Sequence, residues 1–276
     1  MTTLATEQFE RIAEVARQRW GLNFTDRKRQ LVSNRLDKFL RSSRFENIAE
    51  YLEHLESEAE ADDNDMLAFF DLLSTNVTSF FRERQHFDYL EREFYTPLSC
   101  GNTTRPSRRI RLWSAGCSIG PEPYSMAMHA LEHLPDLDSW DFKILATDLS
   151  NTAIKEAQIA TYPKKMIENL DGALVRKHFQ RGTGSNEGMV KIAPHIRKLV
   201  TIRRLNLMDP WPFRGSFDVI FCRNVMIYFD QSTRARLVGR MYDLLHPGGI
   251  LAVGSAETLS GLNSNFHTVQ PSVYVK

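Results

Sequence analysis

The stretch from Ile110 to Met128 constrains the fold of this chain more than any other part of the sequence. An apolar run breaks at Gly116, a short loop leads to Gly120, and helix-forming residues follow. A strand, a glycine-bearing loop and a helix in this order form the opening unit of a nucleotide-binding α/β sheet. The sequence therefore predicts a sheet of this type in the second part of the chain.

The residues absent from this loop restrict the class of ligand that it can bind. It has no G-x-G-x-x-G pattern for a dinucleotide pyrophosphate, and no Lys-Ser or Lys-Thr follows Gly120 to form a P-loop. Glu122 instead places a carboxylate where a phosphate would need bare N–H groups. The pattern favours a ligand with an adenosine and a cationic amine but no phosphate, and S-adenosylmethionine is the common cofactor of that description.

Composition and charge argue against several classes of protein. The chain has 276 residues, of which 42% are hydrophobic, as in ordinary globular proteins. Its net charge of +1 gives no global attraction to nucleic acid, and no apolar run is long enough to span a membrane. The three cysteines do not have the spacing of a metal site, and we expect them to be free thiols. We therefore expect a cytoplasmic monomer that neither binds nucleic acid nor inserts into a membrane.

The first quarter of the chain reads as an all-α module with two opposite blocks of charge. The spacing of apolar residues predicts helices at residues 4–20, 26–41, 46–57 and 64–74. Residues 17–44 hold nine Lys or Arg and two Asp, whereas residues 46–71 hold ten Asp or Glu and no Lys or Arg. The blocks are either helices that attract each other or a binding face beside a solvated one. We predict a solvent-facing basic stripe formed by Arg27, Lys38 and Arg41, with Arg35 toward its edge.

From residue 108 onward, strand-like and helical runs alternate, which indicates a mostly parallel sheet with helices on both faces. The predicted strands are residues 110–115, 142–147, 200–205, 218–222, 250–253 and 272–275. The predicted helices are residues 122–133, 152–159 and 232–245. Residues 176–199 do not fit this alternation, and we interpret them as an inserted hairpin with Gly182, Gly184 and Gly188 between two short β-like runs.

The expected fold is thus a Rossmann-like α/β sheet with a small all-α N-terminal domain and an inserted antiparallel β-hairpin subdomain. The expected divisions are residues 1–75 for the all-α domain, 76–107 for a lid segment and linker, and 108–276 for the sheet domain. Within the middle segment we predict a helix at residues 83–94 and a polar linker at residues 100–107.

Polar residues follow the ends of the predicted strands, at the edge where an open α/β sheet binds its ligands. Asp148 comes directly after one strand and is expected to accept hydrogen bonds from a ribose, with capping of the next helix as its alternative role. Arg223, Asn224 and Tyr228 follow another strand. Glu122 opens the helix after the loop, where it either complements the helix dipole or anchors an amine or hydroxyl of the ligand.

The string His129-Ala-Leu-Glu-His133 matches the H-x-x-E-H pattern of some zinc hydrolases. We expect both histidines to project away from the buried face of their helix, which Tyr124, Ala127 and Met128 define. No third ligand is offered nearby. The sequence analysis therefore predicts no metal site.

Several strings together resemble the CheR family of bacterial chemotaxis receptor methyltransferases, over nearly the whole chain. They are Asn-Val-Thr-Ser-Phe-Phe-Arg (76–82), Gly-Cys-Ser-Ile-Gly-Pro-Glu-Pro-Tyr-Ser (116–125), Ala-Thr-Asp (146–148), Asn-Leu (206–207) and Phe-Cys-Arg-Asn-Val-Met-Ile-Tyr-Phe (221–229). The family usually has two acidic residues before the Pro-Tyr, whereas here the first is Pro121 and only Glu122 remains. We expect this difference to alter the stiffness of the loop more than binding.

The resemblance implies S-adenosylmethionine as methyl donor, S-adenosylhomocysteine as product and receptor glutamates as acceptors. It places Arg82 and Tyr228 beside the methyl group and the substrate carboxylate. It assigns the cofactor site to Asn76, Thr78, Arg82, Glu122, Asp148, Asn206, Leu207, Arg223 and Asn224. It also implies that the hairpin with Gly182, Gly184 and Gly188 docks a peptide at the receptor's C-terminus, while the basic stripe would attract the receptor's acidic methylation helices.

The expected chemistry needs no general base, because a glutamate with a pKa of about 4.3 is already ionised near neutral pH. Arg82 is suited to steering a carboxylate, of either the substrate or the cofactor. Two alternatives stay open: a regulatory domain that binds S-adenosylmethionine without turnover, and a methyltransferase of small molecules or nucleic acid. Arg82 and Tyr228 argue against the first, and the near-neutral charge disfavours nucleic acid.

Overall fold

Four helices form the N-terminal module, as the apolar spacing predicts. The computed structural model describes residues 4–57, 63–74, 77–101 and 108–276, without the side chains of Arg27 and Asp63. The four helices are α1 (Thr6–Trp20), α2 (Arg29–Leu40), α3 (Ile48–Glu56) and α4 (Asp63–Leu73). Most of the predicted polar linker, at residues 102–107, lies outside the described part of the chain.

The module packs directly against the sheet domain at the end of α1. Phe9 and Ile12 on the inner face of α1 are buried at helical spacing. The helix ends at Gly21, which has a left-handed φ of +69°. A Cβ at Gly21 would lie 2.7 Å from the sulfur of Met208 and 3.2 Å from a methyl carbon of Thr233, so a larger residue here would displace side chains of the sheet domain.

A continuous helical segment connects the two domains in the chain. It consists of α5 (Gln85–Leu90), a π-helical turn (Glu91–Tyr95) and α6 (Thr96–Ser99). The prediction of a helix at residues 83–94 is right in kind but misses the π turn. Pro97 has no N–H to continue an α-helical ladder, and the N–H of Thr96 reaches back five residues to the carbonyl of Glu91.

The sheet domain is built as the alternation predicts. Its strands are β1 (Arg109–Ala115), β2 (Asp141–Asp148), β3 (Thr161–Pro163), β4 (Phe179–Arg181), β5 (Met189–Ile192), β6 (Val200–Arg204), β7 (Phe217–Cys222), β8 (Leu245–Val253), β9 (His267–Gln270) and β10 (Val273–Val275). Its helices are α7 (Pro121–His133), α8 (Asn151–Ile159), α9 (Gly172–His178), α10 (Pro194–Arg197) and α11 (Gln231–Leu244).

Seven of these strands form one sheet in the order β6-β2-β1-β7-β8-β10-β9. The first five run parallel, and β10 pairs antiparallel with β8 and with β9. Every residue of β7 is buried, as expected for a central strand covered by helices on both faces. The sequence analysis missed β9, whose mostly exposed residues at the sheet edge carry no alternating apolar pattern.

The inserted subdomain is an antiparallel sheet of three strands in the order β3-β5-β4. The predicted hairpin is the pair β4 and β5, but the boundaries 176–199 are wrong at both ends. Residues 176–178 belong to α9, residues 194–197 form α10, and β3 joins from before the predicted insert. β3 has only three residues, too few for a period-2 pattern to show.

No helix within the described ranges is both long enough and apolar enough to cross a membrane.

Candidate cofactor and active site

A cavity lies at the carboxyl ends of β1, β2 and β7, the edge at which an open α/β sheet binds its ligands. The structure brings together in its walls nearly all the residues predicted for the cofactor and the reaction. These are Thr78, Arg82, Glu122, Asp148, Asn206, Leu207, Arg223, Asn224 and Tyr228. Asn76 lies outside the described residues.

Backbone hydrogen bonds hold the loop between β1 and α7 against the end of β2. The N–H groups of Gly116 and Cys117 donate to the carbonyl of Thr147 at 2.8 and 2.9 Å. Gly116 has a φ of +83°, and a Cβ there would lie 2.3 Å from a methyl carbon of Val225. The hydroxyl of Ser118 is buried in this loop without a hydrogen-bond partner among the described residues, so a polar group of a ligand would satisfy it.

Asp148 is positioned by two backbone donors. Its Oδ2 accepts from the N–H of Ser118 at 2.8 Å and its Oδ1 from the N–H of Ser150 at 2.9 Å. The side chain of Ser150 caps α8 by accepting from the N–H of Ala153, so capping does not need Asp148. Burial raises the pKa of Asp148, although the two N–H groups oppose this effect. Each carboxylate oxygen retains capacity to accept from a ligand hydroxyl.

A buried guanidinium lies between two carboxylates on the other side of the cavity. Arg223, with 2% of its side chain exposed, is 3.3 Å from Oε2 of Glu122 and 3.1 Å from Oε2 of Glu83. It also donates to the carbonyl of Arg82. Ser114 donates to the other oxygen of Glu122 at 2.6 Å. Burial raises the pKa of Glu122, while the charge of Arg223 counteracts the rise.

Two carboxylates that the sequence analysis missed support these walls. Glu83 holds Arg223 and accepts from the N–H of Ser255 at 3.0 Å. Burial acts to raise the pKa of Glu83, but this N–H and the charge of Arg223 outweigh it and the pKa is lowered. Glu257 accepts from three backbone N–H groups, those of Asn224, Ile227 and Gly254. It lies four residues after the end of β8, too far to share the signal of Asp148, which ends its strand.

One cationic side chain lines the cavity near Thr78, and a second lies next to a lining tyrosine. Arg82 is half-buried and donates from Nη1 to the carbonyl of Val77 at 3.1 Å. The ammonium of Lys28, which is not itself in the lining, lies 4.7 Å from the centre of the Tyr228 ring. Burial lowers the pKa of Lys28 from its usual value. The positive charge of Arg82, with Lys28 beside Tyr228, suits the binding of a carboxylate.

The N-terminal module completes the cavity with an apolar wall, which consists of Trp20, Leu22, Phe24 and Phe70. Leu22 forms an isolated antiparallel β-bridge with Phe229, and the N–H of Asn23 donates to the carbonyl of Tyr228 at 2.7 Å. The sequence analysis missed this wall because it assigned the cofactor to the lid segment and the sheet domain alone.

Asn206 contributes to the cavity and also joins the two domains. Its Nδ2 donates to the carbonyl of Arg19 at 3.0 Å, and its Oδ1 accepts from the N–H of Met208, also at 3.0 Å. Both ends of the amide are therefore engaged with the protein. Any contribution to cofactor binding is expected to be mainly through its position next to Leu207 in the cavity wall.

The donors and walls of this cavity fit S-adenosylmethionine on chemical grounds. Asp148 can accept hydrogen bonds from ribose hydroxyls, and the unpartnered Ser118 hydroxyl can bond a further polar group. The rings of Trp20 and Phe70 can pack against an adenine. Glu122 suits the cationic amine and Arg82 the carboxylate of the amino acid part. Two buried carboxylates in one cavity disfavour a phosphate-bearing ligand.

Comparison with protein-family models identifies the family to which the chain belongs. Residues 76–275 match the family model described as CheR methyltransferase, SAM binding domain, and residues 7–74 match CheR methyltransferase, all-alpha domain. This chain belongs to the CheR methyltransferase family. It is a methyltransferase whose cofactor is S-adenosylmethionine, as the glycine loop and the resemblance predict.

Curated members of the CheR family resemble the chain over nearly their full length. The chemotaxis protein methyltransferase of Borreliella burgdorferi is 34% identical over 275 residues, 99% of this chain and 95% of that protein. Chemotaxis protein methyltransferase 2 of Pseudomonas aeruginosa is 36% identical, covering 97% of this chain and 92% of that protein. The chemotaxis protein methyltransferase of Escherichia coli is 36% identical, covering 98% and 91%.

The residues predicted to form the basic stripe of this CheR-family chain differ in their surroundings. Lys38 and Arg41 are exposed on α2. Arg35 is only half-exposed, and its Nη1 donates to the carbonyls at residues 72–74 at the end of α4. Arg35 therefore anchors α4 from the edge of the stripe, and Lys38 and Arg41 are exposed as predicted. Nothing is described of the side chain of Arg27.

The three glycines of the predicted docking hairpin lie between β4 and β5. A Cβ at Gly182 would lie 2.0 Å from the carbonyl oxygen of Asn186, so the loop closes on this residue. Gly184 and Gly188 have φ of +59° and +83°, and neither would meet a neighbour through an added Cβ. Gly182 is thus required for packing, and the other two for backbone conformation.

The two histidines of the H-x-x-E-H string are not placed as the sequence analysis expected. His129 is only 6% exposed, and its ring packs against Phe87 and Tyr95. Burial lowers the pKa of His129 to about 3. The carboxylate of Glu91 lies 3.3 Å from Nδ1 of His133. Two expectations are therefore wrong: His129 does not project away from the buried face, and a third potential ligand, Glu91, is nearby. Neither was predictable because the residues that contact the two histidines come from the segment 85–99, which is distant in the chain.

Proposed function

We propose that this CheR-family enzyme transfers the methyl group of S-adenosylmethionine to glutamate side chains of chemotaxis receptors, giving glutamate methyl esters. Family membership and the names of the curated relatives support the receptor as substrate. The chemistry of the cavity supports a carboxylate as acceptor.

The observation that carries this proposal is the set of titratable groups in the cavity. Among the described residues that line it there is no histidine, lysine or cysteine. Its two acids, Glu122 and Asp148, already accept hydrogen bonds from the protein. The described lining thus offers none of the usual nitrogen or thiol bases, and its two acids are assigned to the cofactor, so the acceptor should be a nucleophile that is ionised beforehand. A glutamate near neutral pH meets this requirement.

The protein's part in this reaction is alignment and exclusion of water. When bound, the cofactor supplies an activated sulfonium methyl group. Arg82 and Tyr228 orient the substrate carboxylate, and Lys28 adds positive charge beside Tyr228. An oxygen of the glutamate forms a bond to the methyl carbon as the bond from that carbon to sulfur breaks. The electron pair of that bond stays on sulfur, and no proton moves.

Labelled S-adenosylmethionine, incubated with the enzyme and chemoreceptor-bearing membranes, tests the proposal. We expect label on the receptor that base releases as methanol, as an ester requires. Arg82→Ala and Tyr228→Phe should slow transfer, whereas Arg84→Ala, whose side chain is 86% exposed, should not. Base-stable label would refute ester formation. Cofactor binding without any label transfer would favour the alternative, a regulatory domain without turnover.

We propose that the exposed part of the basic stripe, Lys38 and Arg41, is a receptor-binding surface. We also propose that the enzyme acts as a monomer in the cytoplasm. Opposite charge would draw the acidic methylation helices to this surface. Light scattering in solution tests the oligomeric state.

We further propose that the hairpin of β4 and β5 docks an extended peptide from the receptor's C-terminal tail. β4 lies at one edge of the three-stranded sheet, and an edge strand can accept an added strand. Tethering would raise the local enzyme concentration near the methylation sites. Gly182→Val should abolish tail-peptide binding and slow receptor methylation, as should truncation of the tail. If the enzyme had no measurable affinity for any cognate receptor tail, the proposal that the hairpin docks this tail would be wrong.

A further inference from the structure

A cluster of three potential metal ligands lies in a cleft between α7 and the helical segment 85–99. One nitrogen of His129, one nitrogen of His133 and a carboxylate oxygen of Glu91 all lie within 4.8 Å of one another. Among the described residues, the charged groups that line the cleft beside these three are Asp88, Glu132, Asp171 and Arg84. None of them lines the cofactor cavity described above.

The environment of His129 also indicates a ligand, independently of the spacing of the three side chains. It is 94% buried, and its Nδ1 has no hydrogen-bond partner among the described residues. A buried ring nitrogen without a partner is costly unless something occupies it or fixes the tautomer through the other nitrogen. The rings of His129 and His133 lie 4.2 Å apart on successive turns of α7. Histidines four residues apart on a helix present both rings to one ion.

Glu91 is brought to the histidines by an uncommon backbone feature. It begins the π-helical turn, and its carbonyl accepts from the N–H and the hydroxyl of Thr96, five residues later. Short π turns inside helices occur frequently at functional sites. The Glu91 side chain is 47% exposed and the His133 side chain 30% exposed. Both can therefore adjust, and the cleft gives an ion a path from solvent.

We propose that Glu91, His129 and His133 bind one transition-metal ion of the zinc class, with the fourth position open to water. Two imidazoles and one carboxylate are a ligand set typical of Zn²⁺. Tetrahedral coordination at about 2.0–2.1 Å requires ligand atoms about 3.3 Å apart. Glu91 and Nδ1 of His133 already have this separation, so ion binding needs an adjustment only of this pair relative to His129. The ion then ties the segment 85–99 to α7 and stabilises the fold, with no part in methyl transfer.

Titration of the full chain with Zn²⁺ against a chromophoric chelator tests this site, with Co²⁺ as a spectroscopic probe. We expect one ion per chain, Co²⁺ absorption typical of tetrahedral nitrogen and oxygen ligation, and a melting temperature raised by about 5 °C when Zn²⁺ is well above its Kd. His133→Asn and Glu91→Gln should each weaken binding about tenfold or more and remove the thermal shift. Both positions are partly exposed, so these variants should fold.

His195→Asn is the matched control, because His195 belongs to the other close histidine pair of the structure. Its Nε2 lies 3.0 Å from Nδ1 of His178, which also contacts Glu132 at 2.6 Å. This variant should bind Zn²⁺ as the parent does. Absence of stoichiometric binding overturns the proposal. So does binding that survives His133→Asn and Glu91→Gln, or that is lost only in His195→Asn.

Discussion

Asp148 is the residue through which cofactor affinity is most directly testable. Replacing it by alanine should leave the ribose hydroxyls and the N–H of Ser118 without an acceptor. The expected loss is about 1–3 kcal/mol, roughly 5- to 150-fold in the Kd for S-adenosylhomocysteine. Isothermal titration calorimetry measures it. Asp141→Ala is the control, because Asp141 begins the same strand, is exposed and pairs with Arg111 far from the cavity. Equal affinity in both variants would mean that the ribose binds elsewhere.

Acidification should weaken cofactor binding. Burial raises the pKa values of Asp148 and Glu122 in the ligand-free protein, so both take up protons at a higher pH than an ordinary carboxyl group. Ligand donors favour the ionised forms, so binding lowers these pKa values and releases protons, and affinity falls as pH drops through the raised values. For folding the sign is opposite: the raised pKa values favour the folded state at low pH, and this contribution is lost as pH rises through them.

Calorimetry between about pH 7.5 and 5 in two buffers of different ionisation heat measures both the affinity and the released protons. Asp148→Asn should show a shallower decline than the parent protein. A pH-independent affinity with no proton release would show that neither carboxylate contacts the ligand in its ionised form.

Arg223 should matter for stability as well as for the cavity. Its removal leaves Glu83 and Glu122 buried without their shared cation. Breaking a buried ion pair from one side typically costs about 3–5 kcal/mol. Urea unfolding of Arg223→Ala should show a loss of this order, whereas Arg84→Ala, at an exposed neighbouring position, should unfold like the parent. Equal stability of the two variants would contradict the ion-pair arrangement described here.

The sequence identifies residues of the cavity when they follow a strand directly. Asp148 and Arg223 are predictable because the carboxyl ends of parallel strands meet at one edge. Lys28 and Glu83 are not, since their partners Tyr228 and Arg223 are more than a hundred residues away in the chain. Glu91 is hidden from the histidines of α7 for a similar reason, because it lies 38 residues before His129 on another helical segment.

At the scale of elements, α2 is the part whose surface charge should govern receptor kinetics. Reversal of Lys38 and Arg41 to glutamate should raise the apparent KM for receptor several-fold at low salt and leave S-adenosylhomocysteine affinity unchanged. Initial rates at varied receptor concentration and ionic strength measure the effect. The control reverses Lys143 and Lys198, which are exposed near the amino ends of β2 and β6, opposite the cavity. Receptor kinetics indifferent to both reversals and to salt would remove α2 as the docking surface.

Elements are predictable where a pattern has room to repeat. α1 and β7 are long enough for a period of 3.6 or a continuous apolar run to show. β3 and the π turn at Glu91–Tyr95 are not, because one spans three residues and the other depends on Pro97 and a five-residue hydrogen bond. The exposure of Lys38 and Arg41 is predictable from the same period, whereas the hydrogen bonds of Arg35 are not, because their carbonyl acceptors lie at the end of α4.

At the scale of the whole molecule, the cavity exists only where the all-α domain meets the sheet domain. Trp20 and Phe70 come from one domain, Asp148 and Arg223 from the other. Periodicity finds each domain separately but contains no information about how they meet. The β-bridge between Leu22 and Phe229 therefore had no sequence signal, although it sets the apolar wall of the cofactor site.

Gly21 should control this junction. Its φ of +69° disfavours a side chain, and a Cβ would lie 2.7 Å from the sulfur of Met208. Gly21→Ala should shift α1 away from the sheet domain, displace Trp20 and Leu22, and weaken S-adenosylhomocysteine binding about tenfold with a lower melting temperature. Gly239→Ala is the control, since Gly239 lies within α11 and an added Cβ there meets nothing within 4 Å. It should bind normally and melt at the same or a higher temperature. If Gly21→Ala lowers the melting temperature but leaves cofactor affinity intact, the apolar wall from the all-α domain contributes nothing to binding.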